Sequence, residues 1–309
     1  VAVGTEALHT AATSDYNVAV GNLALHAVNG DGSGGNTAVG AQAGRRITSG
    51  VYNTAIGMNA FDGADGGESY NVAIGHNAMG DVNHDDADKN VIIGAAAGDE
   101  IGANALADTV IIGYAAVSDI PTSAASGTVA IGSGALKLLT SGAGNIAIGY
   151  QAMSAQTDGL RNLAIGYQAM DAMDSGEDDN IAIGYAAMGA ANNASTVQNV
   201  VIGNYALDAV TTTKIDGMVV IGHNAGTNIQ SGDNQVIVGQ DAGDTLTTGT
   251  NNTLIGKGAD TDDATATNQT VVGCLTTGVA DNSVTLGNAD VTAVYAAQDG
   301  DAVVYCGGI

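Results

Sequence analysis

The chain is poor in the residues that ordinarily build a globular core. Of its 309 residues none is Trp, one is Phe, and ten Tyr bring the aromatic share to only 4%. A domain of this length normally packs around large side chains, and few are available here. A single Pro excludes collagen despite 46 Gly, because the triple helix needs Gly at every third position and abundant Pro. Basic residues are equally scarce, seven against 32 acidic ones, for a net charge of −25. Such a chain has no basic surface for nucleic acid and is disfavoured at anionic membranes. No apolar run approaches the roughly 18 residues of a membrane span, so no membrane insertion is expected. The opening Val1-Ala2-Val3-Gly4 has no basic n-region and is not read as a signal peptide. Two cysteines, Cys274 and Cys306, match no metal spacing and leave the redox compartment open. Hydrophobic residues nevertheless reach 45%, which excludes intrinsic disorder. A chain rich in small residues with strict local order remains, and that describes a repeat protein.

The repeat is visible as a glycine preceded by Val, Ile or Leu, recurring from Gly4 through Gly149, Gly166 and Gly184 to Gly273 and Gly287. Seventeen copies occur, mostly 17–19 residues apart. Ala stands three residues after the glycine in the first fifteen copies, Ala7 through Ala259, and Asn dominates four residues before it. The consensus is Asn-x-Ala-Ile-Gly-x-x-Ala. Three residues between Asn and Gly, as in Ile181-Ala182-Ile183, suit a short strand and cannot form a helix. Length varies only in the connection, between compact turns such as Leu139-Thr140-Ser141-Gly142 and longer polar ones such as Asn83–Lys89. These features predict an all-β parallel β-solenoid with one coil per 17–19-residue repeat over 1–287, followed by a C-terminal transition or capping segment at 288–309, where the register stops and Tyr295, Tyr305 and Cys306 appear.

Alternation along each strand places its first and third residues on one face and its middle residue on the other. The expectation is that the first and third face the coil interior. The middle column, Ala in nine copies and Ile, Val or Leu in seven more, then forms an outer apolar stripe roughly 80 Å long at ~4.8 Å per rung. Monomers do not leave such a stripe exposed, so Ala147, Ala164 and Ala182 are expected to pack against another chain. The chain itself is thus the first expected partner.

The Asn-x-Ala-Ile-Gly-x-x-Ala pattern resembles the head repeats of trimeric autotransporter adhesins. The longer copies, with Thr-Ser-Gly before Asn-Thr-Ala-Ile-Gly at 48–57, resemble bacteriophage tail-fibre proteins with related repeats. Asn282–Val291 is similar to the stretch preceding a self-cleaving chaperone domain in many tail fibres. The resemblance implies a homotrimer of left-handed β-rolls and an extracellular location, on a virion or a cell-surface appendage. It implies a fibre that engages a host-surface glycan or receptor. The alternative is a self-assembling extracellular filament, built end to end, or a bacterial surface adhesin.

Catalytic signatures are absent and no enzyme is expected. Gly256-Lys257 is followed by Gly258 rather than Ser or Thr, so it is not a phosphate loop. Gly30–Gly35 lacks the dinucleotide fingerprint and opens no helix. The five histidines have no metalloprotease spacing. No cofactor is expected beyond weak calcium binding by Asp85, Asp86 and Asp88 or by Glu177, Asp178 and Asp179, acidic clusters that read first as solvated turns. Tyr114, Tyr150, Tyr167 and Tyr185 directly follow repeat glycines. They are either a sugar-binding surface or a structural ladder of stacked rings. Met153, Met170 and Met188, four residues after their glycines, are expected to fill the core.

Overall fold

Each repeat contributes one strand, the residues just before its glycine, and the rest of the coil is turn. The computed structural model describes residues 1–10, 14–29, 32, 34–102, 106–118, 125–193, 196–210 and 214–294. Seventeen strands, β1 (Ala2–Val3) through β17 (Val284–Leu286), form one sheet. Each strand pairs in parallel with the next, equivalent residues opposite one another: Ala147 faces Ala164, which faces Ala182. The fold is a parallel β-solenoid with no helix among the described residues. Residues 288–294 carry no strand. Tyr295, Tyr305 and Cys306, which the capping expectation rests on, lie outside the described residues.

The two faces of the sheet are reversed from the expectation. Ala147, Ala164 and Ala182 are fully buried within a single chain. Their flanking residues, Ile146 and Ile148 for example, are only half-buried. The middle column therefore lines the coil interior and the first and third columns face outward. The physical reason lies on the opposite wall. In most coils the residue four positions after the glycine also points inward, and Leu25, Phe61, Met79, Leu136, Met153, Met170 and Met188 there are buried to within 1%. Where that wall carries Phe or Met, the strand supplies only Ala: Ala55, Ala73, Ala147, Ala164 and Ala182 face Phe61, Met79, Met153, Met170 and Met188. At two coils with glycine on the opposite wall the strand supplies the volume: a Cβ on Gly98 would lie 3.2 Å from Ile92 Cδ1, and one on Gly243 would lie 3.1 Å from Ile237 Cδ1, whereas the space beside Gly44, which faces Ala38, is taken by Leu25 and Ile47.

The repeat glycine is required by the coil above it. A Cβ on Gly166 would fall 2.1 Å from the carbonyl oxygen of Gly184, with φ at +144°. No other residue tolerates both conditions. The repeat asparagine is an interior amide ladder. Asn53 Oδ1 accepts the N–H of Asn71 at 2.9 Å, and Asn53 Nδ2 donates to the Glu68 carbonyl at 2.8 Å. Asn71, Asn145, Asn162, Asn180 and Asn199 bond in the same way to the following coil. Between these fixed points the chain turns through left-handed residues that are not glycine. The coil beginning at Gly149 uses Gln151, Met153 and Arg161, at φ of 52°, 49° and 56°.

Candidate functional site

The outward strand face is a long, largely apolar strip on the surface. Val, Ile and Thr occupy its two columns along most of the sheet, as in Val72 and Ile74, Val91 and Ile93, and Ile181 and Ile183. Val39 and Ile56 are each 38% exposed and Ile255 is 41% exposed. Seventeen rungs at ~4.8 Å and a width of three residues give a strip of roughly 800 Å². That exceeds the few hundred Å² typical of monomer patches and matches one partner's share of a stable interface. Beta-branched residues on a flat parallel ladder present a regular, rigid relief, which suits a second copy of the same relief.

Beyond each repeat glycine lies the tyrosine column. Tyr150, Tyr167 and Tyr185 stack with ring centroids 5.0 and 5.1 Å apart. Tyr205, one position further along its repeat, joins them at 5.0 Å with a tilted ring. His223 meets Tyr205 edge-on at 6.4 Å. The order follows from solenoid geometry, since residues at one repeat position recur at the rung spacing. The inner rings turn their faces to each other, so the column is not a continuous stacking platform for a sugar. Tyr114 stands apart, because the coil between it and Tyr150 carries Ser133 at this position. A cleft of about 170 Å³ opens there, lined by Tyr114, Ser133, Gly134, Lys137, Tyr150 and Gln151. A larger cleft of about 390 Å³ involves Tyr16, Gly35 and Tyr52. There the Tyr52 ring leans over Gly35, where a Cβ would lie 2.6 Å from its Cδ1, and Tyr52 stacks on Tyr70 at 5.3 Å.

The acidic turns are organised differently from the clusters that their sequence suggests. Asp85 Oδ1 accepts the N–H of Gly67 at 3.1 Å and Asp88 Oδ1 that of Ser69 at 2.6 Å, both one coil back. Asp178 Oδ1 accepts the Leu160 N–H at 2.7 Å, and Asp179 makes a two-pronged pair with Arg161 at 2.6 and 2.8 Å. Asp86 is exposed beside His84, 3.9 Å away. Glu177 is fully buried, apart from its two neighbours in sequence. The clusters are thus divided between coil-to-coil bonds, a surface ion pair and the interior. Among the described residues no three metal-ligating side chains come together as a cation site.

Glu177 and Glu68 occupy the same repeat position, three residues before the ladder asparagine, and both are fully buried. Burial, reinforced by Asp174, pushes the Glu177 carboxyl up to about 7. Burial raises Glu68 as well, with Asp85 and Asp65 adding to it. Glu177 Oε2 accepts from Gln156 Nε2 at 3.5 Å, while Glu177 Oε1 and Gln156 Oε1 have no partner among the described residues. Composition hid these two acids, because they look like any others in a polar turn. Their constant offset from the asparagine was the available signal.

No protein-family model matches the chain, and no curated protein is significantly similar to it.

Proposed function

We propose that the chain is the structural subunit of an extracellular fibre, a homotrimeric shaft of left-handed β-rolls that serves attachment to a host surface. The observation that carries this reading is the outward strand face, two columns of Val, Ile and Thr spanning the solenoid. Three copies that turn this face toward a common axis would bury it. The amide ladder and glycine column would keep each coil in register along the shaft. The acidic turns would stay in solvent, where a net charge of −25 per chain opposes lateral aggregation. No catalytic step enters this reading: the interior is filled by side chains, and its polar groups serve the coils.

Sedimentation and electron microscopy of the wild type and an Ile148→Asp, Ile165→Asp, Ile183→Asp variant test it. These residues are half-buried in the single chain, so charge there is tolerable in a monomer and costly in a buried interface. A trimer for the wild type and a folded monomer for the variant are expected. A monomeric wild type, or a variant with unchanged mass, would refute the assembly. Unlimited end-to-end polymers would identify a filament subunit instead.

A further inference from the structure

The tyrosine column is interrupted in a way that leaves one slot of defined width. Tyr150, Tyr167 and Tyr185 are spaced by 5.0 and 5.1 Å, one ring per coil. Ser133 occupies the position below Tyr150, and Tyr114 the one below that. The repeat positions of Tyr114 and Tyr150 are therefore about 10 Å apart, twice the rung spacing. Both line the same cleft of about 170 Å³, and Tyr114 is 67% exposed against 40% for Tyr185 inside the stack.

Width selects the occupant. A flat aromatic ring held between two others at carbon contact distances of 3.5–4.0 Å needs about 7–8 Å between the outer planes. The slot is about 2 Å wider, which is the extra thickness of a puckered saturated ring whose axial C–H groups face both walls. Polar groups stand around it. Ser133 Oγ and Lys137 Nζ have no protein partner among the described residues. Gln151 Oε1 accepts from Gln168 Nε2 at 3.2 Å, leaving its own amide N–H groups unengaged among the described residues. Two apolar faces with a few convergent donors suit a sugar, whose ring faces are apolar and whose rim carries hydroxyls. The floor is fixed, since Gly134 is buried and its N–H donates to the Tyr114 carbonyl at 3.0 Å.

We infer that the gap at Ser133 is a binding slot for a single pyranose ring, clasped between Tyr114 and Tyr150 and hydrogen-bonded by Ser133, Lys137 and Gln151. This deepens the attachment reading by naming the ligand class, yet it stands on the ladder geometry and does not require a particular oligomer.

Saturation-transfer NMR with methyl glucopyranoside, methyl galactopyranoside and methyl glucuronopyranoside tests it. Transfer to the ring C–H protons of at least one of the three is expected. Ser133→Tyr completes the ladder and fills the slot, so the signal should fall at least five-fold while the circular dichroism spectrum is retained. Tyr114→Ala removes one wall and should lower it similarly, and it decides the question if Ser133→Tyr does not fold. Tyr185→Ala, inside the continuous stack, should leave it unchanged. No transfer to any of the three sugars, or transfer indifferent to Ser133→Tyr and Tyr114→Ala, or equally lost in Tyr185→Ala, overturns the proposal. Because shaft assembly is read from sedimentation, loss of sugar binding with an intact trimer would refute the slot alone.

Discussion

Asn162 and Asn180 are held one coil apart by a bond from the Asn180 backbone N–H to Asn162 Oδ1, 3.0 Å long. Asn162 Nδ2 donates to the Glu177 carbonyl of the same next coil. One buried side chain thus satisfies a donor and an acceptor that the coil's short strand cannot reach. Asn162→Ala should orphan both. At ~1–3 kcal/mol for each unsatisfied buried group, the cost is about 2–6 kcal/mol. Chemical denaturation should register it, and hydrogen exchange should rise first at Asn180. A loss below ~1 kcal/mol would mean that water replaces the amide.

In several coils the two walls trade volume, and this can be tested by moving a natural pair. Ala164 and Met170 hold the same repeat positions as Ile92 and Gly98. Ala164→Ile alone overfills the coil and should cost ~1–3 kcal/mol. Met170→Gly alone leaves a void and should cost ~2–5 kcal/mol. Combined, they reproduce the Ile92–Gly98 arrangement and should recover most of the loss. Glycine is also favoured at position 170, where φ is 53°. Additive losses in the double variant would show that the two walls do not share volume.

The same exchange explains what the sequence revealed and what it concealed. Period, strand position and coil stacking follow directly from the glycine register, because a three-residue run of mostly apolar, strand-forming residues before each glycine admits little else. The inward face did not follow from alternation, because both faces are mostly apolar; Thr37, Thr54, Thr253 and Thr270 at the first strand position were the available sign that this column faces outward. A partial correlation between columns carried the information: Ala73 opposes Met79 and Ala147 opposes Met153, while Ile92 opposes Gly98 and Ile237 opposes Gly243, against Ala38 with Gly44 and Val201 with Leu207. Columns that trade volume share an interior. The tyrosine column was legible as a ladder or a sugar surface. Its gap at Ser133 gained meaning only from the 5 Å ring spacing. The left-handed corners left only a weak compositional mark, since Gln, Met, Ala and Leu together occupy more of them than Asn does.

Those corners predict an inversion of the usual glycine penalty. Ala186 is half-buried with φ at 48°, a conformation costing L-residues roughly 1–2 kcal/mol. Glycine relieves it while adding ~0.5–1 kcal/mol of unfolded-chain entropy. Ala186→Gly should therefore be neutral or stabilising by up to ~1 kcal/mol. Ala182→Gly, four residues earlier in the buried strand column, should cost about 1 kcal/mol or more. Thermal melts of the two variants check this, and equal destabilisation would refute the corner argument.

Acid should stabilise this protein, against the common pattern for proteins rich in paired carboxylates. Desolvation raises Glu177 from 4.5 to about 7 and also raises Glu68, Asp62, Asp99, Asp171 and Asp208. Between 4.5 and about 7 the folded chain holds a proton on Glu177 that the unfolded chain has released. Stability must then fall as pH rises through that window, and the contribution is complete below it. Protonation also lets Glu177 donate toward the unpartnered Gln156 Oε1. The melting temperature should accordingly be higher at pH 5 than at pH 8. Repulsion among 32 acidic residues acts in the same direction, but salt screens it at the surface far more than in the interior. Glu177→Gln isolates the buried part: the variant should gain most over wild type at pH 8, gain little at pH 5, and keep that difference in high salt. An equal gain at both pH values would mean that Glu177 ionises freely in the folded coil.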